Sequence, residues 1–190
     1  SRIIGNIGRL SLFNSLMTWH ESTSLEVELR VETKATDALI QPSELPDKLT
    51  WQTWFTTWLQ DLKATLSPIH QYEVSLLLTN DTQIQLLNST YRHQDKATDV
   101  LAFATQETAM PGREAIYQTV PLPLGDVIIS VETAQRQRHD ADYSLTQELA
   151  WLATHGLLHL LGWDHPDDSS VQKMLAQQLH LLRQVNLTVQ

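Results

Sequence analysis

The 190-residue sequence contains no cysteine. This absence excludes disulfides, thiolate metal sites and a cysteine nucleophile, so a metal site must use histidine or carboxylate ligands. No apolar run approaches the roughly 20 residues that a membrane-spanning helix needs. Basic residues are few, 13 against 22 acidic ones, and the net charge of −9 has the wrong sign for non-specific coating of nucleic acid. An RNA partner would therefore have to meet a local basic patch.

The composition favours one folded domain. Hydrophobic residues make up 42% of the chain, which is typical of a globular protein and not of a disordered one. We assign residues 25–190 to a single domain, because this length is sufficient for one hydrophobic core. Residues 1–24 are interpreted as an N-terminal extension, either a disordered tail or the remnant of a transit peptide, since the first 19 residues contain two arginines and no acid.

Hydrophobic periodicity predicts strands interleaved with helices. The predicted strands are residues 24–31, 72–79, 98–105 and 125–131. Helical spacing and capping residues predict helices over 49–66, 81–87, 132–141, 144–161 and 168–185. The segment between the third and fourth strands contains three prolines and is predicted to be a loop. This order indicates an α/β (α+β) single-domain sandwich, in which helices pack on a mixed sheet of about four strands. The pattern does not fix the strand order.

Three histidines stand close together in the segment THGLLHLLGWDH, residues 154–165. His155 and His159 are spaced i and i+4 on a predicted helix, so their side chains project from one face, one turn apart. Gly162 can take the left-handed conformation that ends a helix, and His165 can then approach the same ion after the chain reverses. Three imidazoles leave one tetrahedral position open for water or substrate.

This histidine pattern predicts one bound zinc ion on a helix and the turn that follows it. Nickel, cobalt and copper also accept imidazole ligands, so another divalent transition metal is the alternative. An ion held by three neutral nitrogens lowers the pKa of a bound water to about 7 and supplies a nucleophile at neutral pH. A chance set of core histidines is the competing interpretation, and the helix-ending glycine between the second and third histidines argues against it.

The same spacing occurs in metzincin proteases, which carry a glutamate directly after the first histidine as general base. Here that position is Gly156, which has no side chain to accept a proton. The metal-binding pattern is present and the peptidase base is absent. A zinc metallopeptidase-like hydrolase is kept as one hypothesis, and a non-catalytic assembly factor with a structural metal as another.

Three segments resemble the YbeY family of bacterial and organellar endoribonucleases. THGLLHLLGWDH resembles the family's triple-histidine signature, and LNSTYRHQDKATDVLAF, residues 87–103, resembles its arginine-containing segment. LGDVIIS, residues 124–130, resembles a third motif. The matches follow the family's order.

The resemblance implies a single-strand-specific, metal-dependent endoribonuclease. It implies a role in ribosomal RNA maturation, notably at the 3′ end of small-subunit RNA, and in ribosome quality control. His155, His159 and His165 then correspond to the zinc ligands, and Arg92 to a functionally important arginine. The implied partners are single-stranded RNA and the ribosome or its small subunit. The implied location is the bacterial cytoplasm, with the plastid stroma as the alternative.

Several polar residues near these motifs receive predicted roles. The Arg92 guanidinium offers a planar, permanently charged donor pair for the phosphate oxygens of a transition state. Asp164 is predicted to orient a ligand histidine, cap the turn or act as a base through water. Lys96, Arg136 and Arg138 could extend a basic wall for the RNA backbone, although solvated surface charge is an equally good interpretation. The general base is not assigned.

Overall fold

The structure, a computed structural model, describes residues 24–34, 42–105, 111–138 and 143–188. Its strands are β1 (Glu26–Thr33), β2 (Gln71–Thr79), β3 (Val100–Ala104) and β4 (Leu122–Ser130). They form one sheet in the order β1-β2-β4-β3. The first three strands of this order are parallel, and β3 pairs antiparallel with β4 at one edge. The predicted α/β sandwich with a mixed four-stranded sheet is confirmed. Most of the predicted N-terminal extension lies outside the described residues.

Helices cover both faces of this sheet. The described ones are α1 (Lys48–Asp61), α2 (Asp81–Arg92), α3 (Arg113–Ile116), α4 (Val131–Gln137), α5 (Leu145–Leu160) and α6 (Asp168–Gln184), with a 3-10 turn at Pro42–Glu44. The main core lies between one sheet face and α1, α4, α5 and α6. A small second cluster forms on the opposite face, where Ile84 of α2 packs on Leu101 and Ile128. The sheet is therefore buried on both sides, as expected for parallel strands.

The aromatic residues of α1 recur at helical spacing and form part of the main core. Trp51, Phe55 and Trp58 are fully buried, and the Trp58 indole donates a hydrogen bond to the Leu181 carbonyl at 3.0 Å. This bond joins α1 to the last helix across the core. An interpretation of these rings as a platform for nucleic acid is excluded by their burial.

Helix α2 differs in its cap and in its end from the sequence prediction, in which Asp81 caps the helix. Asn80 is the N-cap in place of Asp81, since its side-chain oxygen accepts a hydrogen bond from the Gln83 amide at 2.9 Å. The helix continues five residues beyond the predicted end at Leu87. Polar contacts of the buried Asn88 hold this extra turn, so apolar periodicity alone does not detect it.

Strand β4 begins three residues earlier than predicted, inside the segment expected to be a loop. Pro123 argues against a strand at this position, because proline cannot donate to the hydrogen-bond ladder. The irregularity in the β2–β4 register between Glu73 and Val74 lies opposite this proline and accommodates it. Leu122 and Leu124 on either side are buried, which favours pairing over a loop. Short helix α3 also lies in this segment.

Asp81 connects the starts of α2 and α4. Its carboxylate accepts hydrogen bonds from Ser130 Oγ at 2.5 Å and Thr133 Oγ1 at 2.6 Å, and it forms an ion pair with Arg136 at 2.7 Å. Burial alone would raise the pKa of Asp81, but the hydrogen bonds from Ser130, Thr133 and Arg136 outweigh burial and lower it. The network holds together the two helices that leave neighbouring parallel strands.

The Asp81→Asn variant is expected to lower the free energy of unfolding by about 1–3 kcal/mol at pH 7, because the amide cannot satisfy all three donors. The pKa of the wild-type carboxyl is depressed in the folded state below its ordinary value of 3.8. Its stabilisation is therefore complete above that value and is lost as the pH falls through the folded-state pKa. Urea unfolding at pH 7 and at successively lower pH should show the two proteins converging as the pH falls below the folded-state pKa of Asp81. The exposed Asp95→Asn variant is the control, and an equal loss there would contradict the assignment.

Candidate metal centre

Helix α5 lies against β4 at a distance that only glycine permits. Gly156 is buried, and a Cβ atom added there would lie 2.6 Å from Cγ1 and 3.1 Å from Cγ2 of Val127. The close approach fixes the depth at which α5 sits on the sheet. His155 and His159 are held on either side of this contact. A glutamate at position 156 would overlap Val127, so the peptidase base is absent and also has no space.

The end of α5 turns the chain back towards the helix. Gly162 adopts φ +88°, the left-handed conformation predicted from the sequence. Its N–H donates to the His159 carbonyl at 3.0 Å, and the Trp163 N–H donates to the Leu158 carbonyl at 3.0 Å. These two bonds form a Schellman motif, which closes the helix and positions the following residues. The reversal brings His165 to the first two histidines.

The three histidines converge as predicted. The ring centroids of His155 and His159 are 4.6 Å apart, and that of His165 lies 5.5 Å and 5.2 Å from them. The Nε2 atoms of His155 and His159 are 3.1 Å apart. One nitrogen from each ring can be chosen so that all three lie within 4.8 Å of one another. This donor set, three half-buried imidazoles and no thiolate, suits a transition-metal ion such as zinc.

A glutamine from α6 sets the proton position on His155. The fully buried Gln178 donates through Nε2 to the Trp151 carbonyl at 3.2 Å, which directs its Oε1 towards His155. Nδ1 of His155 donates to this oxygen at 3.3 Å. Because Nδ1 then carries the proton, Nε2 presents its lone pair to the cluster, as a metal ligand requires.

Burial keeps the first two histidines neutral. It lowers the pKa of His155, and the hydrogen bond to Gln178 offsets part of this effect. Burial also lowers the pKa of His159, and the neighbouring His155 and His165 lower it further. A protonated imidazole cannot bind a metal, so protons compete less with the ion at mildly acidic pH than they would at histidines of ordinary pKa.

The Gln178→Leu variant is expected to bind the metal about 10- to 100-fold more weakly, because His155 loses the partner that fixes its tautomer. Affinity is measured by competition with a chromophoric chelator. Gln172→Leu, an exposed position on the same helix, is the matched control and should bind as the wild type does. Equal affinity of both variants would show that the tautomer is set in another way.

Arg92 is the last residue of α2 and is exposed. Its Nη2 donates to the Ala102 carbonyl of β3 at 3.2 Å, and its Cζ lies 6.0 Å from the centre of the Phe103 ring. Arg92, at the end of α2, thus contacts the edge strand β3.

Asp164 is exposed, and its Oδ1 accepts a hydrogen bond from the His165 amide at 2.8 Å. Of the roles predicted for Asp164, this contact corresponds to capping of the turn. Its charge also raises the pKa of His159 slightly against the effect of burial.

The residues predicted as a basic wall differ in their surroundings. Lys96 is exposed. The Arg136 guanidinium is already bound to Asp81 and lies 2.8 Å from Thr133 Oγ1. Arg138 caps the C-terminus of α4, directly before residues outside the described part of the chain. The RNA-binding role of these three residues stays a prediction. Arg136 would have to bind RNA while it remains paired with Asp81.

Sequence reasoning missed two residues that act on the cluster. Gln178 has a detectable signal, since it lies on the buried side of α6 with Met174 and Leu182 and is the polar member there. Asp99 immediately precedes β3, and its negative charge raises the pKa of His155. Its Oδ1 accepts from the Val100 amide at 2.8 Å. The start of the edge strand therefore lies near the metal centre, a proximity that follows only from the strand order.

Comparison with known proteins decides the family. The model of the family described as Endoribonuclease YbeY matches residues 35–186, most of the chain and all three histidines. The chain belongs to the YbeY endoribonuclease family. The YbeY resemblance and the expected enzyme class, a hydrolytic nuclease, are thus confirmed, and ribosomal RNA maturation is the role of that family.

Cyanobacterial proteins named Endoribonuclease YbeY are similar over most of their length. That of Acaryochloris marina is 54% identical over 140 residues, covering 74% of this chain and 79% of the relative. That of Synechocystis is 47% identical over 160 residues, covering 83% and 89%. The solution structure of TM1509 from Thermotoga maritima matches with a TM-score of 0.50 at 21% identity, over 83% of this chain and 89% of that one. The last likeness concerns the fold alone. No helix in the described residues is long and apolar enough to cross a membrane.

Proposed function

We propose that this chain is a single-strand-specific, metal-dependent endoribonuclease that acts in ribosomal RNA maturation, at the 3′ end of the small-subunit RNA, and in ribosome quality control. The observation that carries the proposal is the convergence of His155, His159 and His165 in a chain of the YbeY family. We assign these residues as the ligands of one zinc ion. When bound, the ion would supply a Lewis acid that activates water and polarises the phosphate.

The chain's own residues prepare this centre. Gln178 holds the His155 proton at Nδ1, and Asp164 stabilises the turn that presents His165. Gly156 keeps the helix at its depth on the sheet. A ligand set fixed in this way loses little freedom when the metal binds, so the site is preorganised.

Arg92 is proposed to stabilise the phosphate in the transition state. Its hydrogen bond to Ala102 holds the guanidinium at β3, and Asp99 at the start of the same strand acts on His155. An RNA strand lying along β3 would thus present phosphates to both the arginine and the metal centre. The exposed guanidinium keeps donors available for phosphate oxygens, because a single carbonyl occupies only one of its five N–H groups.

Cleavage of a single-stranded ribosomal RNA fragment tests the proposal. The purified protein is stripped of metal with a chelator and then reloaded with zinc, or with nickel or cobalt in parallel. We expect cleavage only by the reloaded protein, and only of RNA that is not annealed to its complement. Cleavage that survives complete metal removal, or that is equal on duplex RNA, would refute a metal-dependent, single-strand-specific nuclease.

We also propose a partner assembly and a location for this protein. The RNA substrate suggests the ribosome or its small subunit as the assembly on which the enzyme acts. The similar proteins are cyanobacterial, which supports the bacterial cytoplasm as the location. Co-sedimentation with small ribosomal subunits from a cyanobacterial extract tests the partner. Absence of the protein from every ribosomal fraction would contradict it.

A further inference from the structure

The last turn of α2 carries an aromatic side chain, Tyr91, that is exposed and does not belong to the hydrophobic core. Tyr91 is 64% exposed, although it lies in the last turn of a helix that packs on the sheet. Its ring contacts Phe103 edge to face, with centroids 5.3 Å apart and an interplanar angle of 64°. The Arg92 guanidinium lies 6.0 Å from the same Phe103 ring. We call Tyr91, Arg92 and Phe103 the aromatic shelf.

The shelf and the metal centre lie on opposite faces of the same edge of the sheet. Arg92 of the shelf donates to the Ala102 carbonyl of β3. Ala102 pairs with Val127 of β4, and Val127 is the residue against which Gly156 packs. Gly156 is next to His155 in α5. The contacts from the shelf to the histidines therefore pass through only two strands, β3 and β4. β3 pairs only with β4 among the described strands, and its residues Ala102, Phe103 and Ala104 are half-buried.

We propose that the aromatic shelf is a stacking subsite for one unpaired nucleobase of the RNA whose backbone lies at the metal centre. The inference rests on the proposed function. The Phe103 ring holds the Tyr91 ring by an edge-to-face contact, and the 64% exposure of Tyr91 leaves ring surface available to a base. The adjacent Arg92 adds a positive charge to the shelf. This charge can interact with the π face of a base and with the phosphate that adjoins it.

The shelf also gives a physical reason for single-strand specificity. A base in a duplex already stacks on its neighbours and has no free face for a side chain. Stacking on a tyrosine is tolerant of sequence, because every base has a π face. The shelf therefore selects for an unpaired nucleotide at a fixed distance from the cleavage site and not for a particular base.

Binding of a single-stranded RNA oligonucleotide tests the shelf. Fluorescence anisotropy compares zinc-loaded wild type with Tyr91→Ala, Tyr91→Trp and Leu86→Ala under non-cleaving conditions at low temperature. We expect about tenfold weaker binding by Tyr91→Ala, and wild-type or tighter binding by Tyr91→Trp, which keeps a ring. Leu86 is 59% exposed on the same helix and is the matched control, with no expected change. Thermal unfolding establishes that each variant is folded, and Tyr91→Leu replaces the alanine variant if the latter is not.

An abasic scan identifies the contact itself. Removing the base at one position of the oligonucleotide should weaken binding to the wild type about tenfold, and should cause no further loss with Tyr91→Ala. Equal effects of base removal on both proteins, or wild-type affinity of Tyr91→Ala, would overturn the shelf and favour a protein-binding role for this surface. A wild type that neither binds nor cleaves RNA would instead refute the proposed function, so the two failures are distinguishable.

Discussion

The His159→Ala variant is expected to lose RNA cleavage by at least about 10³-fold, equivalent to about 4 kcal/mol in activation free energy. His159 is the middle ligand, with its ring 4.6 Å from that of His155 and 5.2 Å from that of His165. Removing it leaves two imidazoles, which hold a metal ion far more weakly than three. Without the metal, the negative charge that develops on the phosphate in the transition state is less stabilised, so the chemical step slows and kcat falls.

The matched control for this variant is His180→Ala. His180 lies on α6, and its Nε2 is 2.8 Å from the Asp61 carboxylate, in a pair separate from the metal centre. Both proteins are purified in parallel, so that a trace of contaminating ribonuclease would act equally in each. Cleavage by the wild type and His180→Ala alone ties the activity to the metal centre. Cleavage by His159→Ala at the control's rate would remove the site from the mechanism.

Substitution of Gly156 is expected to destabilise the protein, and most severely when the new residue is glutamate. In Gly156→Ala, the new Cβ would lie 2.6 Å from Val127 Cγ1, and overpacking of this kind costs about 1–3 kcal/mol. The better helix propensity of alanine returns at most about 1 kcal/mol. Gly156→Glu adds a buried carboxylate to the same overlap, and we expect it to fail to fold or to displace α5 and lose metal binding. It should not acquire peptidase activity.

A double variant isolates the cause of this loss. Val127→Ala removes the γ carbons that the new Cβ would meet. The pair Gly156→Ala and Val127→Ala should therefore be less destabilised than the sum of the single variants, by about 1 kcal/mol or more in urea unfolding. Additive losses would show that helix–sheet contact at this point does not limit the residue at position 156. Cleavage of a peptide library by the glutamate variant would revive the peptidase hypothesis.

The parts of the site that could be predicted from the sequence are local. The i, i+4 spacing places His155 and His159 on one helical face, and the Gly162 turn follows from backbone sterics, so His165 could be added to them. The capping box of Ser144 and Gln147, which begins α5, depends on an equally local sequence pattern. These features depend on neighbours within one or two turns.

The parts that could not be predicted depend on contacts between distant segments. Gln178 reaches His155 from the next helix. The apolar positions of α6 indicate that Gln178 faces inward, but its partner there depends on how α6 packs against α5. The role of Gly156 required the position of Val127, which follows only when α5 is docked on β4. The family motif indicated Arg92, but its reach to Ala102 depends on β3 lying at the edge of the sheet.

The position of Gln178 has a consequence for the order in which the protein becomes active. His155, His159, His165 and Gln178 all lie in the C-terminal part of the chain, after every strand of the sheet. A chain emerging from the ribosome exposes the sheet first, and the glutamine that orients the first imidazole emerges last. A nascent or prematurely terminated polypeptide can thus contain all three histidines and still lack the group that prepares them. The site is therefore complete only after α6 has been synthesised.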